Sequence, residues 1–285
     1  MSAVIDILYA DDCILAANKP AGLLVHRSSI AADESDFLLD RLRMQTASPL
    51  FLAHRLDRAT SGVVLLAKTR EIAGALGRLF MERRVVKRYL AVVRGWPADT
   101  GVIDYPLPAA LGHPWPSRHL GSCPADVRER SPRKAAVTHW RTLATTTVPI
   151  ALGKYPEQRY ALVEASPETG RYRQIRKHFH HVSHHLVGDT SHGRGDHNRL
   201  WRMHFGVHRL LLHAWRLELA HPVSGATLVL SAPLDAVWNS VLARFGWTQA
   251  VADAVARGLL ELFTGPLETC TCHRSTSSRK SICTN

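Results

Sequence analysis

The residues with the clearest potential for chemistry lie in LAHRLDRATSGVVLLAKT, residues 52–69, where Asp57 stands between Arg55 and Arg58. A neighbouring cation favours the ionised form of a carboxylate, and an ionised carboxylate is suited to nucleophilic rather than acid catalysis. On an extended segment alternate residues share a face, so Arg55 and Asp57 are expected to point the same way. An exposed aspartate between two solvated arginines is the simpler alternative, so the segment alone does not decide its role.

A second cluster follows the Thr-Gly pair of ETGRYRQIRKH, residues 168–178. It places Arg171, Arg173, Arg176 and Lys177 within seven positions. If a helix begins here, Arg173 and Arg176 lie three apart on one face. Such a face can contact phosphates while one guanidinium pairs with a carboxylate. A basic surface helix with no such role is the alternative.

Tyr89, in the run KRYLAVV, is the third candidate. An aromatic residue on a half-buried strand usually belongs to the core. A tyrosine whose hydroxyl faces a pocket can instead relay a proton or stack on a base.

Five histidines between residues 178 and 185 raise the question of a metal site. His181 and His185 are four apart, as in zinc-binding helices. However, there is no HExxH motif, and no carboxylate or cysteine stands at the usual spacing. The CxCH run at 270–273 is an equally weak signal. The sequence also contains no GxGxxG or GxxxxGK[ST] motif, so neither a dinucleotide nor a nucleoside triphosphate is implied. A GxSxG nucleophile elbow is absent as well.

The charge balance favours a polyanionic partner. The 285 residues include 36 Lys and Arg against 24 Asp and Glu, a formal net charge of +12, and the pI is near 10.0. No apolar run reaches the roughly 18–20 residues of a membrane span, and the acidic N-terminus is unlike a signal peptide. Five scattered cysteines indicate a reducing compartment. We therefore expect a cytoplasmic protein that binds RNA or DNA.

The hydrophobic patterns predict an α+β fold with a mixed or antiparallel sheet, because strands and helices do not alternate regularly. Strands are predicted within 5–19 and at 63–67, 87–94, 136–145 and 159–167, followed by two around Ser224-Gly225. Helices are predicted at 36–45, 70–84, after Arg176, from Pro233 to about 245 and from 249 onward. Residues 106–134 are predicted to be a basic loop and 188–196 another loop. The division into domains assigns 1–248 to a catalytic domain, 249–264 to a C-terminal helix and 265–285 to a disordered tail.

Four segments, taken in order, resemble the RluA-type pseudouridine synthases. HRLDRATSGVVLLAK (54–68) closely resembles the signature of that family, and a region around 211–225 resembles its closing strand. The resemblance covers roughly residues 5–247. The other matching segments are NKPAGLLVHRS (18–28), KRYLAVVRG (87–95) and TGRYRQIRKH (169–178).

The resemblance implies a central, mostly antiparallel sheet with flanking helices and an active cleft across its middle. It implies that Asp57 is the catalytic nucleophile, that Tyr89 lies beside the target uracil, and that Arg176 forms an ion pair with Asp57. Arg55 corresponds to a residue that fills the gap left by a flipped base. Where this chain has Arg173, the family commonly has histidine, so we expect one local RNA contact to differ from the family's. The expected RNA-binding residues are Arg55, Arg58, His26, Arg27, Arg171, Arg173 and Lys177.

The activity implied is isomerisation of one uridine to pseudouridine without metal or cofactor. Within the family the chain most resembles a subgroup that modifies tRNA at nucleotide 65, in the T stem. Asp57 attacks C1′ or C6, or assists elimination to a glycal, and the sequence leaves these three open. We expect a monomer without an additional RNA-binding domain ahead of residue 5.

Three alternatives remain at this stage. The substrate is ribosomal RNA rather than tRNA, or the chain is a non-catalytic RNA-binding protein on the same scaffold. A glycosidase is the third alternative, but it requires two facing carboxylates. The matching segments supply no second acidic residue.

Overall fold

A mixed sheet of ten strands runs through the computed structural model, which describes residues 4–27, 34–108 and 132–264. The strands are β1 (Asp6–Ala10), β2 (Ile14–Lys19), β3 (Phe51–Leu52), β4 (Ser61–Ala67), β5 (Val86–Arg94), β6 (Thr100–Asp104), β9 (Val137–Val148), β10 (Gln158–Pro167), β11 (Leu212–Ala220) and β12 (Thr227–Ser231). Their order along the sheet is β1-β2-β4-β11-β5-β10-β9-β6. Outside this order, β3 pairs with β4 and β12 pairs with β11. A separate small pair is formed by β7 (Leu107–Pro108) and β8 (Arg133–Lys134).

Within the described ranges six helices flank the sheet. They are α1 (Leu38–Thr46), α2 (Arg70–Met81), α3 (Gln174–His181), α4 (Gly195–Phe205), α5 (Ala236–Phe245) and α6 (Thr248–Thr264). None of them is long and apolar enough to cross a membrane.

Strand β5 is buried on both faces, and this explains its unbroken apolar run LAVV. On one face Leu90 and Val92 pack into a cluster with tryptophans from α4 and α5. On the other face Ala91 and Val93 pack with α3 through Phe179. The central strand therefore joins two cores and fixes α3 against the sheet.

One seam of the sheet differs from all the others. Strands β4 and β11 pair in parallel, whereas the remaining pairs are antiparallel. The register sets His213 opposite Ser61 and Ala214 opposite Gly62. This seam directly follows the HRLD segment, so it determines where that segment enters the sheet.

The predicted α+β class with a mostly antiparallel sheet is confirmed, and each predicted strand and helix is present within a few residues of its expected bounds. Sequence reasoning missed β3, β6, α4 and the β7–β8 pair, whose strands lie at the two ends of the predicted loop 106–134. Helix α4 is sparse in apolar residues and its first residue follows Arg194, which gives no side-chain cap. Burial of Leu200 and Trp201 against the sheet stabilises it instead, and no local pattern reports that contact.

The predicted tail 265–285 and most of the predicted loop 106–134 lie outside the described residues. Helix α6 begins at Thr248, near the expected boundary, and Val251 packs against the tryptophan cluster. The division of the chain into a catalytic domain and a separate C-terminal helix stays a prediction.

Candidate active site

The HRLD segment is fixed at both ends so that Asp57 projects into a cleft. At its start, His54 Nε2 accepts a hydrogen bond from the backbone N–H of Leu65 at 3.0 Å. Burial lowers the pKa of His54 to about 4, so the ring is neutral and can accept this bond. After Asp57, the N–H of Thr60 donates to the Asp57 carbonyl at 3.1 Å and closes a turn.

The TSG sequence that follows is explained by the β4–β11 seam. Gly62 has φ +115°, and a Cβ at this position would lie 2.2 Å from the carbonyl oxygen of Ala214. Only glycine allows β11 to approach this closely. Ser61 and Thr60 are buried at the same turn, where Ser61 Oγ is 2.8 Å from His213 Nδ1.

Arg176, from α3, lies between two carboxylates. Its Nη1 is 3.1 Å from Asp57 Oδ2, and its Nε and Nη2 each donate to Asp189 at 2.7 Å. Burial by itself lowers the pKa of Arg176, but the hydrogen bonds and charges of Asp189 and Asp57 outweigh it and raise the pKa. The ion pair between Arg176 and Asp57 that the resemblance implies is thus present.

Asp189, which holds Arg176 in place, is one of the residues at the site that sequence reasoning missed. Burial raises its pKa, yet the bonds from Arg176 and from the N–H groups of His192 and Ser191 lower it further than burial raises it. The loop before α4 is also held by Asn198, which accepts from Gly188 N–H and donates to the Asp189 carbonyl. The sequence around Asp189, GDTSHGRGD, correctly predicted a loop, but nothing in it indicates that this loop reaches Arg176.

The turn before α3 is closed by Gln174. Its Oε1 accepts from Thr169 Oγ1 at 2.6 Å and from the Arg171 N–H at 3.0 Å, while its Nε2 donates to β9 at Val137 O and Thr138 Oγ1. Arg173 takes a left-handed backbone conformation at the N-terminus of α3. This network sets the start of the helix and thereby the position of Arg176 one turn later.

Tyr89 lies in the same cleft, on the face of β5 that packs against α3. Burial, and then the charge of Asp57, raise the pKa of its phenol. The hydroxyl therefore keeps its proton at neutral pH and is a potential donor.

The cleft has a volume of about 490 Å³, and the three main candidates, Asp57, Tyr89 and Arg176, all line it.

The predicted RNA-binding residues divide into two groups. Those that line the cleft are Arg55, Arg171 and Arg173; those that do not are His26, Arg27, Arg58 and Lys177. Sequence reasoning did not single out Lys87, Arg83 or Gln174, which also line it.

The structure gives Arg58, one of the two arginines that flank Asp57 in the sequence, other partners, and stabilisation of Asp57 by the flanking arginines stays a prediction. Its side chain donates to the carbonyl of Gly22 at 2.9 Å and to Glu34 at 2.7 Å. Its backbone carbonyl accepts from the buried Lys19 at 3.0 Å, which ties the NKPAG loop to the residue after Asp57. The cation at Asp57 comes instead from Arg176, far away in the sequence.

The RNA-binding residues outside the cleft have varied surroundings. Arg27 is exposed and pairs with Asp40 at 3.3 Å. His26 is half-buried, and burial, followed by the charge of Arg55, lowers its pKa. Lys177 lies over the ring of the exposed Tyr172 at 5.2 Å. Their roles in RNA binding stay predictions.

The histidine run does not form a zinc helix, because α3 ends at His181 and leaves His185 beyond it. Among the described residues, one group of possible metal ligands, Asp11, Cys13 and His221, lies close together. His221 Nδ1 accepts from the N–H groups of Val223 and Ser224. Its Nε2 must then carry the proton donated to Asp11 at 3.0 Å, which leaves no lone pair for a metal.

The cleft and the sheet that carries it define the class of protein. The family model described as RNA pseudouridylate synthase matches residues 14–181. The chain belongs to that family and is an isomerase that acts on RNA.

Its relatives include a protein named tRNA pseudouridine synthase C from Vibrio cholerae serotype O1, 42% identical over 248 residues, which cover 87% of this chain and 98% of the relative. A protein of the same name from Salmonella typhi is 42% identical over 250 residues, 88% of this chain and 93% of the relative.

Solved structures give the same fold. Human RNA Pseudouridylate Synthase Domain Containing 4 matches with a TM-score of 0.60 at 28% identity, over 84% of this chain and 92% of that one. Human RNA Pseudouridylate Synthase Domain Containing 1 matches with a TM-score of 0.61 at 24% identity, over 83% and 89%.

Proposed function

We propose that this protein converts one uridine of tRNA to pseudouridine, with Asp57 as the catalytic carboxylate. The observation that carries the proposal is the arrangement around Arg176. Asp189 uses two of its donors, so Arg176 is fixed in the protein and offers Asp57 only one hydrogen bond. The other oxygen of Asp57, whose side chain is 21% exposed, remains available to a substrate in the cleft.

The choice of tRNA is supported by the names of the relatives, which cover most of this chain at about 42% identity. We propose nucleotide 65, in the T stem, as the target. Ribosomal RNA is the second candidate substrate, since the net charge of +12 suits either RNA.

The reaction breaks the C1′–N1 bond, turns the uracil and joins C5 to C1′. A uridine inside a helix must first leave the stack. In this proposal Arg55, which is exposed and lines the cleft, occupies the space that the uridine vacates. Asp57 then attacks C1′ or C6 or assists formation of a glycal, and the proposal covers all three routes.

Tyr89 packs beside the uracil in this proposal. Because its pKa is raised, it is a neutral phenol at working pH. It can donate a hydrogen bond to the base or pass on a proton, but it does not start as a base. Arg176 is a positioning residue for Asp57 and supplies the positive charge beside it.

We further propose that the protein acts in the cytoplasm, where tRNA is modified, and as a monomer. The groups that the proposed chemistry uses, Asp57, Tyr89 and Arg176, already meet within a single chain, so it needs no residue from a second copy. Light scattering coupled to gel filtration tests the monomer, with and without tRNA.

The deciding experiment uses unmodified tRNA labelled with tritium at uridine C5, because joining C5 to C1′ must expel that hydrogen. Wild-type protein is expected to release tritium, and carbodiimide–primer extension then locates the product. Asp57→Asn is expected to abolish release while RNA affinity changes little. Asp12→Asn, an exposed aspartate outside the cleft, is the matched control and retains release.

Other outcomes have definite meanings. Release from ribosomal RNA alone would replace the proposed substrate. Tight RNA binding without release from either RNA would favour the non-catalytic alternative. If Asp57→Asn lost affinity and activity equally, the catalytic role of Asp57 would be wrong.

A further inference from the structure

The cleft continues beyond Asp57 along a wall that the proposed chemistry does not use. This wall consists of the end of α2 and the start of β5, and Met81, Arg83 and Lys87 line it. Met81 is 77% exposed, although it is a large apolar residue. Two cations beside an exposed apolar side chain match the two parts of a nucleotide, its phosphate and its base.

Arg83 occupies a turn that favours glycine. The N–H of Arg84 donates to Leu79 O at 2.9 Å and that of Arg83 to Phe80 O at 3.3 Å, the pattern of a Schellman turn. Arg83 is its left-handed residue, with φ 59°. Glycine would take this conformation with less strain. Compared with glycine, arginine adds at this position a half-exposed side chain that lines the cleft.

Lys87 presents its ammonium group to the same wall. It lies two residues before Tyr89 on the same face of β5, whereas Arg88 between them pairs with Glu164 on the opposite face. Its Nζ donates to the carbonyls of Glu168 and Thr169 at 3.2 and 3.3 Å. An ammonium has three N–H donors, so one remains for a ligand.

Glu168 is the anion that faces these cations across the cleft. Its Oε2 is 3.9 Å from Arg83 Nη1, and its Oε1 is 2.6 Å from His139 Nε2. A phosphate entering the cleft can replace Glu168 at Arg83, because Glu168 keeps His139 as a partner.

We propose that Met81, Arg83 and Lys87 form a binding subsite for the nucleotide adjacent to the target uridine in the same RNA strand. This inference rests on the function proposed above. Arg83 and Lys87 contact the phosphate, and Met81 packs against the base. Residues two apart on a strand are separated by about 7 Å, so an RNA strand whose uridine reaches Tyr89 passes Lys87 next.

The first test replaces Arg83 and compares it with its neighbour. Arg83→Gly preserves the left-handed turn and removes the side chain, and Arg83→Gln removes only the charge. Arg84→Gln is the matched control, because Arg84 belongs to the same turn, is exposed, pairs with Glu82 and does not line the cleft. Tritium release from labelled tRNA gives kcat and KM between about 50 and 200 mM KCl.

Both Arg83 variants are expected to raise KM about tenfold with little change in kcat, as for loss of one bond to a charged group. The slope of log KM against log salt should fall by about 0.7, the value for one phosphate contact on a single strand. Arg84→Gln should change neither quantity. An Arg83 variant indistinguishable from Arg84→Gln would overturn the subsite.

The second test uses the titration of Lys87. Burial, followed by the charge of Arg83, lowers its pKa to about 8, and Glu168 opposes this. The other titratable neighbours are His54, whose pKa of about 4 lies well outside the window, and His139, which pairs with Glu168. A contribution from either histidine would persist in Lys87→Met. Only the protonated lysine binds phosphate, so the wild-type KM should rise between pH 7 and 9. Lys87→Met should have a higher KM at pH 7 and lose this rise.

A pH-dependent rise in KM that persists in Lys87→Met would come from another group. That result would overturn the assignment of Lys87 to phosphate binding and leave it a structural role. Failure of the proposed function is distinguishable from failure of the subsite. If wild-type protein releases no tritium, the function fails. If it releases tritium and the variants keep their KM, salt slope and pH profile, the subsite alone fails.

Discussion

At the scale of single residues, the site depends on how one guanidinium is divided between two carboxylates. Asp189 is almost fully buried and accepts two short bonds from Arg176, while Asp57 is partly exposed and accepts one longer bond. The unequal division leaves Asp57 both oriented and accessible. If Asp57 were as deeply buried as Asp189, the substrate of the proposed function could not reach it.

This division predicts the effect of Asp189→Asn. The substitution preserves shape but removes the charge opposite the buried Arg176, so the free energy of unfolding should fall by about 3 kcal/mol. Because Arg176 then no longer fixes Asp57, kcat should fall about 100-fold. Urea denaturation and single-turnover tritium release measure the two effects.

The matched control is Asp196→Asn, which removes an exposed carboxylate that pairs with the exposed Arg194. It should leave both stability and rate close to those of the wild type. An Asp189→Asn protein with a wild-type rate would show that the charge of Asp189 is not needed to position Asp57 through Arg176.

At the scale of elements, the β4–β11 seam determines where Asp57 stands. Gly62 lies against the backbone of Ala214 and in a conformation that other residues rarely adopt. Asp57 is only five residues earlier, and the turn at Thr60 connects them. We therefore expect distortion of the seam to be transmitted to Asp57, the proposed catalytic carboxylate.

We expect Gly62→Ala to lower the free energy of unfolding by more than about 2 kcal/mol, from backbone strain and steric overlap. Gly77→Ala is the matched control, because Gly77 is inside α2 with open space around its Cβ position. That same substitution should stabilise the protein by up to about 1 kcal/mol. Thermal and urea denaturation of both variants measure this, and equal effects would contradict the steric argument.

The elements that sequence reasoning found and those it missed differ in what stabilises them. Helix α2 has a clear apolar face and Thr69 as its N-cap, so local signals sufficed. Helix α4 has no side-chain cap and depends on the contact of Trp201 with the sheet. The short β3 exists only as a partner of β4. Such elements follow from tertiary contacts that a local pattern does not contain.

The same distinction applies to the site. Asp57, Tyr89 and Arg176 lie in motifs that carry a local signal, and the structure places them in one cleft. Asp189 lies in a glycine-rich loop without such a signal, and its role appears only when the fold places it against Arg176. Lys87 and Arg83 were missed for a related reason: a basic residue on a strand or turn says nothing about which cavity it faces.

At the scale of the whole molecule, buried neutral histidines make stability depend on pH. Burial lowers the pKa of four histidines to about 4, namely His54, His192, His197 and His213. Unfolding restores an ordinary pKa near 6.5, so the unfolded chain binds more protons than the folded one below that pH. Their contribution is fully present above pH 6.5 and is lost as the pH falls toward 4.

His213 gives the sharpest test of this linkage. It is 1% exposed, with Nδ1 next to Ser61 Oγ and Nε2 donating to Ala232 O at 3.2 Å, and Asp235 and Arg209 are its charged neighbours. Its pKa shift corresponds to about 3 kcal/mol of stability lost between pH 6.5 and 4. His213→Gln cannot titrate. In that variant the slope of the unfolding free energy against pH should fall by up to about 1.4 kcal/mol per pH unit.

Urea denaturation at several pH values across this window measures the slope, and the exposed His204→Gln is the control that should leave it unchanged. The carboxylate Asp189 has a lowered pKa and loses its contribution only at still lower pH, so it does not confuse the comparison. The absolute stability of His213→Gln is expected to be lower at pH 7, because one buried hydrogen bond is lost. The slope, rather than that offset, decides the matter: an unchanged slope would mean that His213 is not the group whose protonation destabilises the fold.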